Sequence, residues 1–350
     1  MIEVITFCSA FFLVLFGTPS LIKIAKLKHL VDFPTGNRKV HKNSIPSIGG
    51  ISIFAATIIS LVFWYPFNQI APDNFRLLRY LLASLIFLFF IGIKDDIIGV
   101  SPLKKFFAQL IVVCVMVIFG GLRITSMQGL FGVEELNFEF SILISAFSFM
   151  VIINGFNLID GVDGLAAGVC FIVSFFSGWW FHHNGEILFE FLAWSTSGSI
   201  LGFLIFNFNP ARLFMGDSGA LTIGLICSVL VYGIIEKDAT MFDVGPSEIP
   251  KPLVAISLLV YPLLDVLRVF VIRTIAGSSP LQAGSDHIHH RLLARGWDHR
   301  QTSAIVFSLT MATTGFVLFF NHWDITVLFL SSFVFAIGYL GVFLLKKKKK

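Results

Sequence analysis

Charged residues are scarce. Asp, Glu, Lys and Arg make up 13% of the 350 residues, against about 25% in a soluble globular chain. That excludes a soluble globular enzyme. Cysteine is limited to Cys8, Cys114, Cys170 and Cys227, each inside an apolar run. Neither a disulfide framework nor a Cys-rich zinc site is available, and the four thiols read as small buried hydrophobes. A basic region ahead of the first apolar run is also missing: the first charge is Glu3 and the first lysine is Lys23. The first run is therefore expected to stay as a helix rather than to act as a cleaved signal peptide. No internal repeat is visible, and the one low-complexity tract is Lys346 to Lys350. The net charge is only +4, and no nucleic-acid partner is expected.

What is abundant is apolar surface. Hydrophobic residues reach 56%, phenylalanine alone numbers 41, and the mean hydropathy is +0.87. Crossing a bilayer takes roughly 20 apolar residues per helix, so the chain can make about ten or eleven crossings. The connections left over average about a dozen residues, too short for a separate soluble domain. Eleven apolar runs fall at about 2–22, 47–64, 79–94, 103–122, 140–155, 164–181, 187–206, 219–235, 251–272, 302–320 and 325–345. They are continuous and longer than the alternating segments of about ten residues in a membrane β-barrel. The expected fold is an all-α, polytopic integral membrane protein of about 11 transmembrane helices, with residues 1–350 forming a single domain.

Lysine and arginine orient it. With the N-terminus outside, the cytoplasmic segments are 23–46, 94–105, 155–164, 207–218, 273–301 and the tail, which hold 19 of the 25 basic residues. The C-terminus is then inside. All eight glutamates fall on the outer side, whereas every cytoplasmic carboxylate is an aspartate: Asp32, Asp95, Asp96, Asp160, Asp163, Asp217, Asp286 and Asp298. Most sit within a residue or two of a helix end. Short carboxylates at helix ends suit a metal or phosphate site, so the chemistry is expected on the cytoplasmic face.

Five segments carry it. The first reads Arg38-Lys39-Val40-His41-Lys42, then Pro46 and Gly49-Gly50 at a helix start. It suits either an anion cradle of free backbone N–H groups or a basic anchor whose glycines serve helix packing. The second is Lys94-Asp95-Asp96 with Lys104-Lys105. Successive helical residues point about 100° apart, so either one aspartate faces the site and the other supports it, or the pair is a simple charged stop to the helix. In the third, Asn154, Asn157, Asp160 and Asp163 recur every third residue along one helical face, and such oxygen donors are what Mg²⁺ prefers. The fourth, Asn207 to Gly219, places Asp217 just before an apolar helix, where it can cap the helix, ligate a metal, or both. In the fifth, Asp286-His287-Ile288-His289-His290-Arg291, three histidines could bind zinc. With no cysteine on this side, contact with a phosphate or sugar through Arg291 and Arg295 is the better reading.

These five ordered motifs, spanning about residues 35 to 297, resemble the polyprenyl-phosphate N-acetylhexosamine-1-phosphate transferases of glycosyltransferase family 4. Within that family, the peptidoglycan translocases carry three consecutive histidines followed by Phe-Glu. His287-Ile288-His289-His290-Arg291 looks instead like the branch using UDP-GlcNAc or a related UDP-HexNAc, with the muramoyl-pentapeptide donor as the alternative. The resemblance implies transfer of GlcNAc-1-phosphate from UDP-GlcNAc to undecaprenyl phosphate, with release of UMP, in a bacterial cytoplasmic (inner) membrane. This is the initiating step of cell-surface glycan synthesis.

It further implies Mg²⁺, with Mn²⁺ as an alternative, held by Asn157 and Asp217. Asp95 or Asp96 would deprotonate or orient the lipid phosphate, and Lys105, with Lys39, would hold it. His41 belongs to the same basic substrate-binding loop. Asp160 and Asp163 would line the nucleotide pocket, and His287, His289, His290 and Arg291 would contact the donor's sugar and diphosphate. A two-step route through a phospho-aspartate stays open beside direct transfer. The family commonly forms homodimers, for which the sequence carries no signature of its own. Pro262, beside Asp265 and Arg268, predicts a kinked helix. That helix either opens an acceptor groove towards lipid, as in the family, or carries a buried Asp265–Arg268 ion pair. The rival class is a secondary transporter, which would want its carboxylates near the bilayer midplane.

Overall fold

A computed structural model describes residues 1–28, 31–32, 45–237, 249–277 and 286–345. Among them are thirteen α-helices: α1 (Ile2–Leu27), α2 (Gly49–Trp64), α3 (Pro72–Ile98), α4 (Pro102–Cys114), α5 (Phe138–Ile159), α6 (Leu165–Asn184), α7 (Ile187–Asn207), α8 (Gly216–Glu236), α9 (Lys251–Leu258), α10 (Val260–Ile275), α11 (Ile288–Ala294), α12 (His299–Phe319) and α13 (Ile325–Leu345). Each of the eleven apolar runs forms helix. The run at 103–122 continues past α4 as a π turn, Val115–Phe119. Among the described residues, eight helices are long and apolar enough to cross a membrane, or nine if α9 and α10 count as one broken span, against the eleven or so expected. The protein is all-α and multi-pass.

Local chemistry sets the ends. Proline opens α3 and α4, where its missing N–H costs nothing. The Asn137 side chain accepts from Phe140 N at the start of α5, and Asp298 with Gln301 forms a capping box on α12. The chain turns between α5 and α6 through Gly164, whose φ of +75° favours glycine. Strands are few: β1 (Val31–Asp32) pairs with β2 (Ile45–Pro46), and β3 (Ser126–Leu130) pairs antiparallel with β4 (Val133–Glu135). The second hairpin replaces what reads in the sequence as a plain connection.

Burial separates a centre from a rim. In α8 every residue from Ser218 to Ile234 is buried. In α13 only Leu328, Ser332, Ala336 and Leu340 are, a stripe at every fourth position. The rest of α13 is just as apolar, with Val334, Ile337 and Val342 exposed. A helix apolar all round but buried along one stripe needs lipid on its other faces. The helix that continues after α9 turns by 75° at Leu259. Pro262 sits in the first turn of α10, where it supplies no N–H and crowds the carbonyl four residues back.

Candidate active site

Where α8 begins, three helices meet backbone to backbone. A Cβ on Gly50 would stand 2.2 Å from Gly219 N, and one on Gly92 would stand 2.3 Å from Ser218 Cα. Gly49 N donates to Phe214 O at 2.9 Å and Gly50 N to Met215 O at 2.8 Å. These N–H groups are therefore spent on the chain entering α8 and form no anion cradle. The glycine pair serves close packing. Lys39 and His41, with Arg38, lie outside the described residues.

The close approach brings the ends of α3, α4 and α5 onto the α8 N-terminus. Asp96 accepts from Asp217 N at 2.6 Å and from Ser218 N at 3.1 Å, satisfying two of the unpaired donors that open any helix. Asp217 does not cap its own helix; Asp96 does so from α3. Asp95 points elsewhere, accepting from Val100 N at 2.6 Å and from Lys105 Nζ at 2.9 Å. Lys105 also bonds Asp217 Oδ1, as does Asn157 Nδ2 at 2.5 Å. The structure thus joins Asp95, Asp96, Lys105, Asn157 and Asp217 into one cluster.

Asp160, one turn beyond Asn157, completes it. It makes no hydrogen bond or ion pair among the described residues. Desolvation, then the negative charges of Asp217, Asp96 and Asp163, pushes its carboxyl up to about 7. Asn157 Oδ1 and Asp217 Oδ2 likewise accept no hydrogen bond among those residues. Among the described residues, four carboxylates around one ammonium leave an excess of negative charge. The donors facing it are amide and carboxylate oxygens, a set that fits a hard divalent cation such as Mg²⁺.

Asp163 takes a different place. It is 4% exposed, and Oδ2 accepts from Asn209 Nδ2 at 2.8 Å and from Ala211 N at 3.2 Å, while Oδ1 lies 3.3 Å from His299 Nδ1. Burial alone would raise its pKa, but the bonds from His299, Asn209 and Ala211 outweigh it and hold the carboxyl at about 2. Asp163, for which the resemblance implies a place in the nucleotide pocket, ties the turn after α5 to the segment before α8 and to α12.

The histidines stand against that turn. A Cβ on Gly161 would lie 3.0 Å from His289 Nε2 and 3.7 Å from His290 Cε1. His287 and His289 rings are parallel, with centroids 5.5 Å apart, and Arg291 is exposed. Burial drives His289 down to about 3 and lowers His290 as well, so both rings are neutral at pH 7. Asp265 bonds His287 Nδ1 at 2.7 Å, not Arg268, whose Nη1 donates to the Asp286 carbonyl at 2.5 Å. The buried ion pair that Asp265 and Arg268 suggest by proximity is replaced by a carboxylate–imidazole pair. Sequence reading also passed over Tyr261, although its spacing of four from Asp265 sets both on one helical face.

The matching family model is described as "Glycosyl transferase family 4" and covers residues 78–234. A Bacillus subtilis (strain 168) protein named "Probable undecaprenyl-phosphate N-acetylglucosaminyl 1-phosphate transferase" is 32% identical over 87% of this chain and 81% of its own. A Mycobacterium tuberculosis (strain H37Rv) decaprenyl-phosphate N-acetylglucosaminephosphotransferase is 30% identical, over 92% and 84%. The Escherichia coli (strain K12) undecaprenyl-phosphate alpha-N-acetylglucosaminyl 1-phosphate transferase is 28% identical, over 91% and 85%.

Proposed function

Since the chain belongs to glycosyl transferase family 4, we propose that it transfers GlcNAc-1-phosphate from UDP-GlcNAc to undecaprenyl phosphate, releasing UMP. The observation that carries this reading is the cluster at the start of α8. Asp217 is bonded by Asn157 and by Lys105, the one ammonium bonded there among the described residues, and Asp160 stands close enough for the charge of Asp217 to raise its pKa. Two anionic substrates have to meet in the reaction, so neutralisation and positioning dominate the catalysis.

Asn157 and Asp217 would hold Mg²⁺, and Asp160 is the natural third oxygen donor. Bound there, the cation would neutralise the donor diphosphate and stabilise the departing UMP. A phosphate oxygen of undecaprenyl phosphate attacks the β-phosphorus, and the bond from that phosphorus to UMP breaks. The anomeric carbon is untouched, so the sugar keeps its configuration. Both aspartates have both oxygens engaged, Asp96 by the α8 N-terminus and Asp95 by Val100 N and Lys105 Nζ, so the bond to Lys105 is what favours Asp95 as the carboxylate that orients the acceptor. No strong base is needed, because a phosphate monoester's second pKa is about 6. Lys105 spends two N–H groups on Asp95 and Asp217 and keeps a third for a phosphate oxygen. Neutral His289 and His290, with Arg291, face the donor's sugar and diphosphate.

The basic residues concentrated at the site end of the helices support a cytoplasmic active site in a bacterial inner membrane. Carboxylates gathered at helix ends rather than at mid-membrane disfavour a transporter. UMP release by purified protein with undecaprenyl phosphate tests the reading, comparing UDP-GlcNAc, UDP-GalNAc and UDP-MurNAc-pentapeptide. UDP-GlcNAc is expected to be turned over fastest. Silence with every donor would overturn it.

A further inference from the structure

Tyr261 and Asp265 stand one turn apart on α10, and each holds one histidine of the 287–290 run by Nδ1. Asp265 is fully buried, and a carboxylate there needs partners for both oxygens. Oδ2 meets His287 Nδ1 at 2.7 Å, and Oδ1 accepts from Ile288 N at 2.7 Å, the first donor of α11. Tyr261, also fully buried, has its hydroxyl 3.2 Å from His289 Nδ1. The opposite nitrogen, His289 Nε2, is buried without a hydrogen-bond partner and faces the turn at Gly161 beside Asp160. No described residue uses that nitrogen, which points to a ligand. The 75° bend before α10 places Tyr261 and Asp265 against α11.

We infer that Asp265 is a positioning residue for the sugar-nucleotide donor: by accepting from His287 Nδ1–H and from the first N–H of α11, it fixes the tautomer of His287 and the face that the histidine run presents to the Asp160 turn. A carboxylate on one imidazole nitrogen leaves the other as an outward acceptor, the device by which second partners orient histidines elsewhere. This inference rests on the transferase reading for the identity of the donor. The geometry it uses stands apart from that reading.

Asp265→Asn is the test. An amide has a single acceptor oxygen; with that oxygen on the fixed Ile288 N–H, its NH₂ meets Nδ1 and forces His287 into the Nε2–H form. The KM for UDP-GlcNAc is expected to rise at least tenfold, while the KM for undecaprenyl phosphate stays within twofold. Asp265→Glu, which keeps the charge, should recover part of the loss. A merely structural role would move both KM values together, or neither, and that result overturns the inference. An independent readout is the ¹⁵N spectrum of histidine-labelled full-length protein in detergent, with His287 assigned by its loss in His287→Gln. Wild type should show His287 protonated at Nδ1, and Asp265→Asn should not. A wild-type His287 protonated at Nε2 alone refutes the inference even if the Asn variant does not fold. An inactive wild type with the expected tautomer would count against the transferase reading instead.

Discussion

Asp96, in the last turn of α3, accepts the backbone N–H of Asp217, in the first turn of α8, at 2.6 Å. One helix end is thus the cap of another, and the capped residue is the one that meets Asn157 and Lys105. The position of Asp217 is fixed from α3, across some 120 residues of sequence, and not by its own neighbours.

Asp96→Asn should therefore damage both stability and activity. The amide keeps one acceptor and turns an NH₂ group against a helix N–H, leaving a part-buried donor unsatisfied at a cost of about 1 kcal/mol. A melting temperature lowered by several degrees and UMP release reduced at least tenfold are expected. An unchanged melt would contradict the capping role.

The glycines at the same junction make a steric prediction. Gly50→Ala and Gly92→Ala each drive a methyl into the backbone of α8, and overpacking of this kind costs about 1–3 kcal/mol. Gly338→Ala on α13 is the control, since its Cβ would meet open space. Thermal melts of the three variants in detergent should separate the first two from the third.

Asp217→Ala should abolish Mg²⁺-dependent UMP release while leaving the protein folded, because its side chain is one-third exposed and caps nothing. Full activity of this variant at ordinary Mg²⁺ would contradict its assignment as a ligand.

The acid side of the stability profile reports His289. Its pKa falls from 6.5 to about 3 on folding, with burial the main cause. Between those values the unfolded chain binds a proton that the folded one refuses, so stability declines as pH drops from 6.5 towards 3. Asp160, raised to about 7, works in the opposite direction over much of that range. The comparison is therefore with His289→Gln. From pH 7 to pH 5 wild type should lose up to about 2 kcal/mol more than the variant. Equal slopes would contradict a buried neutral His289.

The sequence made the helices and the motif set legible because apolar runs and repeated polar spacings are local signals. The contacts that decide each residue's task were not local. Nothing near Asp96 or Asp95 distinguishes them; the distinction lies in α8, which takes both oxygens of one, and in Lys105, which pairs with the other. Asp160 and Asp163 share one spacing, yet only Asp163 meets the Asn209 loop. Asp265 has Arg268 as its neighbour in sequence and His287 as its partner in space. The break at Leu259 redirects α10 and decides that pairing.

The most direct measurement follows the β-phosphorus. UDP-GlcNAc labelled with ³²P at the β position is incubated with the purified protein, undecaprenyl phosphate and Mg²⁺, and the lipid is extracted. The label should appear in the lipid fraction together with GlcNAc, with unlabelled UMP in the aqueous phase and no transfer in EDTA. Label left in aqueous UDP would mean that the sugar moved without its phosphate, and the account given for Asp95, Lys105 and Asp217 would be wrong.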